Sequence, residues 1–135
     1  MLVDLSQFPV IVQSQIRWGD MDAFKHVNNT VFLQYFESAR IAYLEKINYQ
    51  QIFEQTNISI ILASIDCKFI CPLFYPDLIQ TGARVTEIQP DRFIMDYAIF
   101  SSTQKKIAAI GSSVIVTYDY KQNKKAPIPT SYKFI

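Results

Sequence analysis

The chain has 135 residues, 13 Lys and Arg against 12 Asp and Glu, and a hydrophobic half that includes ten Phe and eight Tyr. That composition excludes disorder over most of the length, and it is enough for one domain over residues 1–135 to bury a core without staples. With a net charge of +1 and no basic run beyond Lys105-Lys106 and Lys124-Lys125, neither nucleic acid nor an anionic membrane is expected as the main partner.

Met1 to Val12 lacks a basic start and a long apolar run, so it does not read as a signal peptide, and no stretch reaches membrane-spanning length. A cytoplasmic location is the default expectation. Val10, Val12, Ile16 and Trp18 alternate with Gln13, Gln15 and Arg17, the pattern of a half-buried strand from Val10 to Trp18. Gly19-Asp20-Met21-Asp22 then favours leaving the ladder, and Asn28-Asn29-Thr30 offers capping side chains for a helix running to about Lys46. Within it Phe32, Tyr35, Phe36, Ala39, Tyr43 and Ile47 recur at three- and four-residue spacing, with Gln34, Glu37, Arg40 and Glu45 at polar positions.

Asn48 to Asn57 reads as a polar, irregular connection, and four strand-like segments follow without a second long helix. In the first, Ile61, Ala63, Ile65, Cys67 and Phe69 share one face; Pro72 and Pro76 then mark a turn. Asp77 to Ile88, the alternating run around Phe93 to Ile99, and Ile107 to Asp119 complete the set before a polar tail from Lys121 to Pro129. The order predicts an α+β fold, one long helix across an antiparallel sheet. One helix covers one face only, so a second copy of the chain is expected to cover what remains.

Cys67 and Cys71 lie in one strand at about 3.3 Å per residue, roughly 13 Å apart, too far to pair. A zinc site is poorly supported by two thiols and a single histidine, and both cysteines read as buried small hydrophobes. The serine-hydrolase elbow is missing around Gly111-Ser112-Ser113, and three glycines form no phosphate loop. What remains is Asp20, Asp22, His26, Asn28 and Asn29, clustered at the start of a helix. A carboxylate acts as base or nucleophile, and helix-terminal N–H groups hold a developing oxyanion, a pairing suited to acyl transfer. Spacing alone does not choose between Asp20 and Asp22.

Trp18-Gly19-Asp20-Met21-Asp22, His26-Val27-Asn28-Asn29 and Tyr35-Phe36-Glu37-x-Ala39-Arg40 together resemble the signature of the hotdog-fold thioesterases, in the 4-hydroxybenzoyl-CoA thioesterase and YbgC-like branch. Cys71-Pro72-Leu73, Tyr75-Pro76-Asp77 and Lys125-Ala126-Pro127-Ile128-Pro129 extend the similarity. The resemblance implies a hotdog fold, a five-stranded antiparallel sheet wrapped around the helix in the order β-α-β-β-β-β, and a homodimer or homotetramer with its sites at the subunit interface. It also implies an acyl-CoA thioesterase releasing a carboxylic acid and free CoA, with no cofactor because CoA belongs to the substrate. The catalytic carboxylate falls on Asp22 and the oxyanion-binding backbone amide on Asn29. His26 orients water or substrate or merely shapes the loop, and Asn28 and Tyr35 are the substrate-binding candidates. Glu37, a tempting second acid, reads as a partner of Arg40 at three-residue spacing.

Benzoyl-type members carry Pro-Ala-Gly-Ile after this aspartate. Ala23-Phe24-Lys25-His26 here is closer to the long-chain acyl type, so a medium- or long-chain fatty acyl group is expected. Alternatives are an aromatic acyl-CoA, an acyl-carrier-protein thioester, a non-catalytic acyl-thioester binder, and an acyl dehydratase.

Overall fold

A computed structural model describes residues 3–135; Met1 and Leu2, the start of the Met1–Val12 segment, lie outside the described residues. Strand β1 spans Val10–Gln15, helix α1 Asn29–Lys46, helix α2 Tyr49–Thr56, and strands β2 to β6 Ile58–Phe69, Leu78–Gln89, Arg92–Ser101, Lys106–Asp119 and Lys124–Lys125. The sheet is antiparallel, in the order β1-β3-β4-β5-β2 with β6 added beside β5, and α1 lies across one face of it. This is the expected α+β arrangement of five main strands and one long helix, the hotdog fold.

The helix forms where the caps and the apolar spacing predict. Asn28 has extended backbone and its carboxamide accepts from the Thr30 N–H at 2.9 Å, supplying one of the acceptors that a helix start lacks. Val31, Phe32, Phe36, Ala39, Tyr43 and Leu44 are buried along one stripe, against Ile79, Ala83, Phe93, Met95, Tyr97, Ile99 and Ile115 of the sheet. Each fully buried large side chain contributes roughly 1.5–3 kcal/mol. Phe36 stacks on Tyr97 with ring centroids 4.9 Å apart, and it reaches that depth because Gly111 lies beneath it. A Cβ on Gly111 would stand 2.5 Å from Phe36 Cε2 and 2.5 Å from the Asp66 carbonyl oxygen.

Five expectations need revision. Trp18 does not continue the buried face of β1: the strand ends at Gln15, Ile16 is still buried, and the chain turns through a 3-10 segment at Trp18–Asp20 that leaves Trp18 72% exposed. The connection from Asn48 to Asn57 is a helix, α2. Asn48 (φ 61°) and Asn57 (φ 62°) take left-handed backbone at its two ends, which Asn tolerates better than most residues. Only Ile52 of α2 is buried, too little apolar patterning to announce a helix.

In β2 a register shift between Leu62 and Ser64 adds one residue. Leu62 pairs with Ile115 but Ile65 with Ser113, so Ile60 and Leu62 share the helix-facing side with Ile65, Cys67 and Phe69, while Ile61 turns away. Cys71 lies beyond the end of β2 and so not in one strand with Cys67, and both cysteines are free and half-buried rather than buried. Finally, the polar tail holds onto the core: β6 pairs with β5, Ala126 and Tyr132 are buried, and the Tyr43 hydroxyl donates to the Ile135 carbonyl at 2.9 Å and accepts from its N–H at 2.7 Å.

Candidate functional site

The segment between β1 and α1 is fixed by Asp20, which is 4% exposed. Its carboxylate accepts from the Arg17 N–H at 2.9 Å, from the Arg17 guanidinium at 3.2 Å and from the Tyr35 hydroxyl at 2.9 Å. Burial, then the hydrogen bond to Asp20, pushes the Tyr35 hydroxyl well above the usual phenol range, so it stays a donor. The Asp20 carbonyl accepts from the Asn28 N–H at 2.9 Å, and Met21 forms an antiparallel bridge with Val27. Asp20 and Tyr35 thus clamp both ends of the loop to the helix.

Asp22 begins the tight turn that this clamp frames. Its N–H donates to the His26 carbonyl at 3.0 Å, its carbonyl accepts from the Lys25 N–H at 3.0 Å, and Lys25 has left-handed backbone (φ 66°). The Asp22 Oδ1 accepts from the Phe24 N–H at 2.8 Å. Among the described residues, Oδ2 has no hydrogen-bond partner. The two aspartates therefore differ in kind: Asp20 is buried with both oxygens engaged, whereas Asp22 is half-buried with one oxygen available.

At the helix start, Asn28 takes the Thr30 N–H with its side chain and the Val31 N–H with its carbonyl, at 2.9 Å each. The Asn29 N–H is left over, with no acceptor among the described residues. Asn29 lines a cleft of about 200 Å³ with His26, Val27, Phe32, Phe69, Ile70, Cys71 and Pro72. An unsatisfied N–H at the positive end of a helix, on a residue that lines a partly apolar cleft, is suited to a developing negative charge on a carbonyl oxygen. His26 Nδ1 lies 3.4 Å from the Val27 carbonyl, and its ring sits between Phe24 and Phe74 at 6.3 and 6.5 Å.

Of the residues singled out from sequence, His26 and Asn29 line this cleft; Asp22, Asn28 and Tyr35 do not. Asn28 acts as the helix cap and Tyr35 as the Asp20 clamp. Phe69 and Ile70 were not anticipated, although both are large apolar residues left 44% and 50% exposed at the end of a strand. Cys71-Pro72 was visible in sequence as part of a motif without a role. Glu37 does pair with Arg40, at 3.6 Å, but Arg40 is 5% exposed rather than on a polar face, and its guanidinium also donates to the Tyr97 hydroxyl at 3.2 Å. Among the described residues no three His, Cys, Asp or Glu converge as metal ligands, and no helix is long and apolar enough to cross a membrane.

Comparison with known proteins matches residues 16–133 to the model of the thioesterase-like superfamily. The long-chain acyl-CoA thioesterase FadM of Escherichia coli is 24% identical over 83% of this chain and 85% of its own. An acyl-acyl carrier protein thioesterase of Arabidopsis thaliana is 25% identical over 90% of this chain and 64% of its own. A 1,4-dihydroxy-2-naphthoyl-CoA thioesterase from Synechocystis, of known structure, superposes with a TM-score of 0.80 at 22% identity, covering 91% of each chain.

Proposed function

Because the chain belongs to the thioesterase-like superfamily, we propose that it hydrolyses an acyl-CoA thioester, with Asp22 as general base or nucleophile and the Asn29 N–H as oxyanion donor. The observation that carries this reading is the unsatisfied Asn29 N–H, at a cleft reached by the same short loop that presents one free oxygen of Asp22. In the base route Asp22 takes a proton from water as the water oxygen bonds to the thioester carbon. In the nucleophile route the carboxylate bonds to that carbon, and water then cleaves the resulting anhydride. The C–S bond breaks in either route, and the sulfur leaves with its electron pair as thiolate. A thiol pKa near 8.5 makes that departure easy without a dedicated acid.

A second copy of the chain completes the site in this proposal. The cleft of one protomer, about 200 Å³, is smaller than the roughly 300–1,000 Å³ of typical ligand sites. Around it Phe24, Phe69, Ile70 and Phe74 are exposed, and among the described residues the long edge strand β2 pairs on one side only. An apolar acyl chain, medium or long, fits such a rim; each buried methylene would contribute about 0.8 kcal/mol.

The test is thiol release over short, long and aromatic acyl-CoAs, with Asp22→Asn alongside. We expect kcat/KM to rise with chain length to a plateau, and Asp22→Asn to lose at least about a hundredfold in kcat, the low end of a general-base contribution. A maximum at an aromatic thioester replaces the fatty-acyl reading. Near wild-type turnover by Asp22→Asn refutes the role of Asp22. Sedimentation at micromolar concentration should show a dimer or larger, and an active monomer refutes the shared site.

A further inference from the structure

On the sheet face turned away from α1 lies a second and larger hollow, of about 790 Å³. Ile70 lines both this groove and the Asn29 cleft, so the two adjoin at that residue, just past the end of β2. Lys68, Lys105 and Lys106 line the groove against a single acid, Asp4, with Phe100 contributing apolar surface. Lys68 points to this side because its strand neighbours Cys67 and Phe69 face the helix. Among the described residues none of the three lysines takes part in an ion pair. Three unpaired cations around one hollow, on a chain whose net charge is only +1, are a local concentration of positive charge without an internal purpose.

We propose that this groove is the subsite for the phosphorylated nucleotide end of the thioester substrate. The inference rests on the thioesterase reading and deepens it. With the carbonyl at Asn29, the thiol-bearing arm passes Ile70 and delivers its phosphates to Lys68, Lys105 and Lys106. The consequence is a choice between two substrate classes: a CoA thioester brings a diphosphate and a ribose phosphate to the lysines, whereas a carrier-protein thioester brings one phosphodiester. The groove therefore selects CoA thioesters.

The test uses the triple variant Lys68→Gln, Lys105→Asn, Lys106→Gln. Asn is chosen at 105 because that residue has left-handed backbone (φ 56°), and all three side chains are exposed. Calorimetric titration with 3′,5′-ADP reads the groove without turnover, and KM is compared for one acyl group carried on CoA and on pantetheine. We expect the variant to weaken 3′,5′-ADP binding and raise KM for the CoA thioester at least about tenfold, equivalent to about 1.4 kcal/mol, with the pantetheine KM moving less than twofold. Added salt should weaken 3′,5′-ADP binding to the wild type more than to the variant. Unchanged 3′,5′-ADP binding overturns the proposal, as does an equal loss on both thioesters. If the wild type cleaves no thioester at all, the proposed function fails, and the nucleotide titration still decides the groove.

Discussion

Replacing Asp20 with Asn should loosen the loop without removing its chemistry. The substitution keeps the volume but leaves one accepting oxygen: with it at the Oδ2 position the bonds from the Arg17 N–H and the Tyr35 hydroxyl become bonds to a neutral amide, while the Arg17 guanidinium meets an NH2 at the Oδ1 position and loses its acceptor. The Arg17 guanidinium contact contributes little, at most about 0.5 kcal/mol, because that side chain is 77% exposed and screened. The bonds from the Arg17 N–H and the Tyr35 hydroxyl are at 2.9 Å and part-buried; each loses about half of a charge-assisted value of roughly 1.5–3 kcal/mol. Part of that is offset because an amide is cheaper to bury than a carboxylate, leaving a net cost of about 1–2 kcal/mol. For 135 residues this lowers Tm by about 3–7 °C at fixed protein concentration.

Tyr35→Phe should cost a similar amount. Because both changes act on the same bond, one weakening it and the other removing it, the double variant should fall short of the sum by about 0.5–1.5 kcal/mol. Urea titration gives the stabilities, and thiol release should show Asp20→Asn retaining far more activity than Asp22→Asn. The reasoning is refuted if Asp20→Asn leaves stability unchanged while abolishing turnover, since the buried carboxylate would then act in the reaction rather than as a clamp.

Gly111→Ala should destabilise by about 2–3 kcal/mol in urea, since the new methyl meets both the Phe36 ring and the β2 backbone at 2.5 Å; a cost under about 0.5 kcal/mol would contradict the packing of α1 on β5. At high pH the fold should weaken through its buried tyrosines. Burial pushes the Tyr132 hydroxyl up to about 12, above its ordinary value near 10, so its contribution to stability is constant below pH 10 and is lost as pH rises from 10 through 12. Melts at pH 9 and pH 11 check the sign. Among the described residues the buried Tyr132 hydroxyl has no hydrogen-bond partner, so Tyr132→Phe should be neutral or stabilising at pH 7 and should make the alkaline decline shallower.

The sequence carried α1 almost to the residue because capping chemistry at Asn28 and the apolar stripe from Phe32 to Tyr43 are both local. The strands after it were legible for the same reason, as apolar runs bounded by turn residues such as Pro72, Pro76 and Pro90. What stayed hidden depends on partners distant in sequence. Nothing in Ile58 to Phe69 reveals that one inserted residue exchanges the faces of Ile61 and Leu62, since the shift is defined only against β5. Arg40 looked like a surface charge because Tyr97, which receives its hydrogen bond, lies 57 residues away. Spacing alone left Asp20 and Asp22 equivalent, and burial together with the bonds from Arg17 and from the distant Tyr35 separates them. The wall formed by Phe69 and Ile70 was missed because two exposed apolar residues after a strand carry no motif.

The order β1-β3-β4-β5-β2 also sets a sequence of events in time. Strands β3, β4 and β5 follow one another through short turns and can zip as hairpins, whereas Gln15 opposite Leu78 and Ile58 opposite Asp119 each require a long loop to close. The two flanking strands should therefore dock late, and β1, only six residues long, should open first under native conditions. The Asp20–Asn28 loop hangs between β1 and α1, so excursions of that short strand would unmake the site well below the free energy of global unfolding. Native-state hydrogen exchange should show the amides of β1 exchanging through a lower-energy opening than those of Met95 to Ile99; equal protection in both places would rule out this ordering.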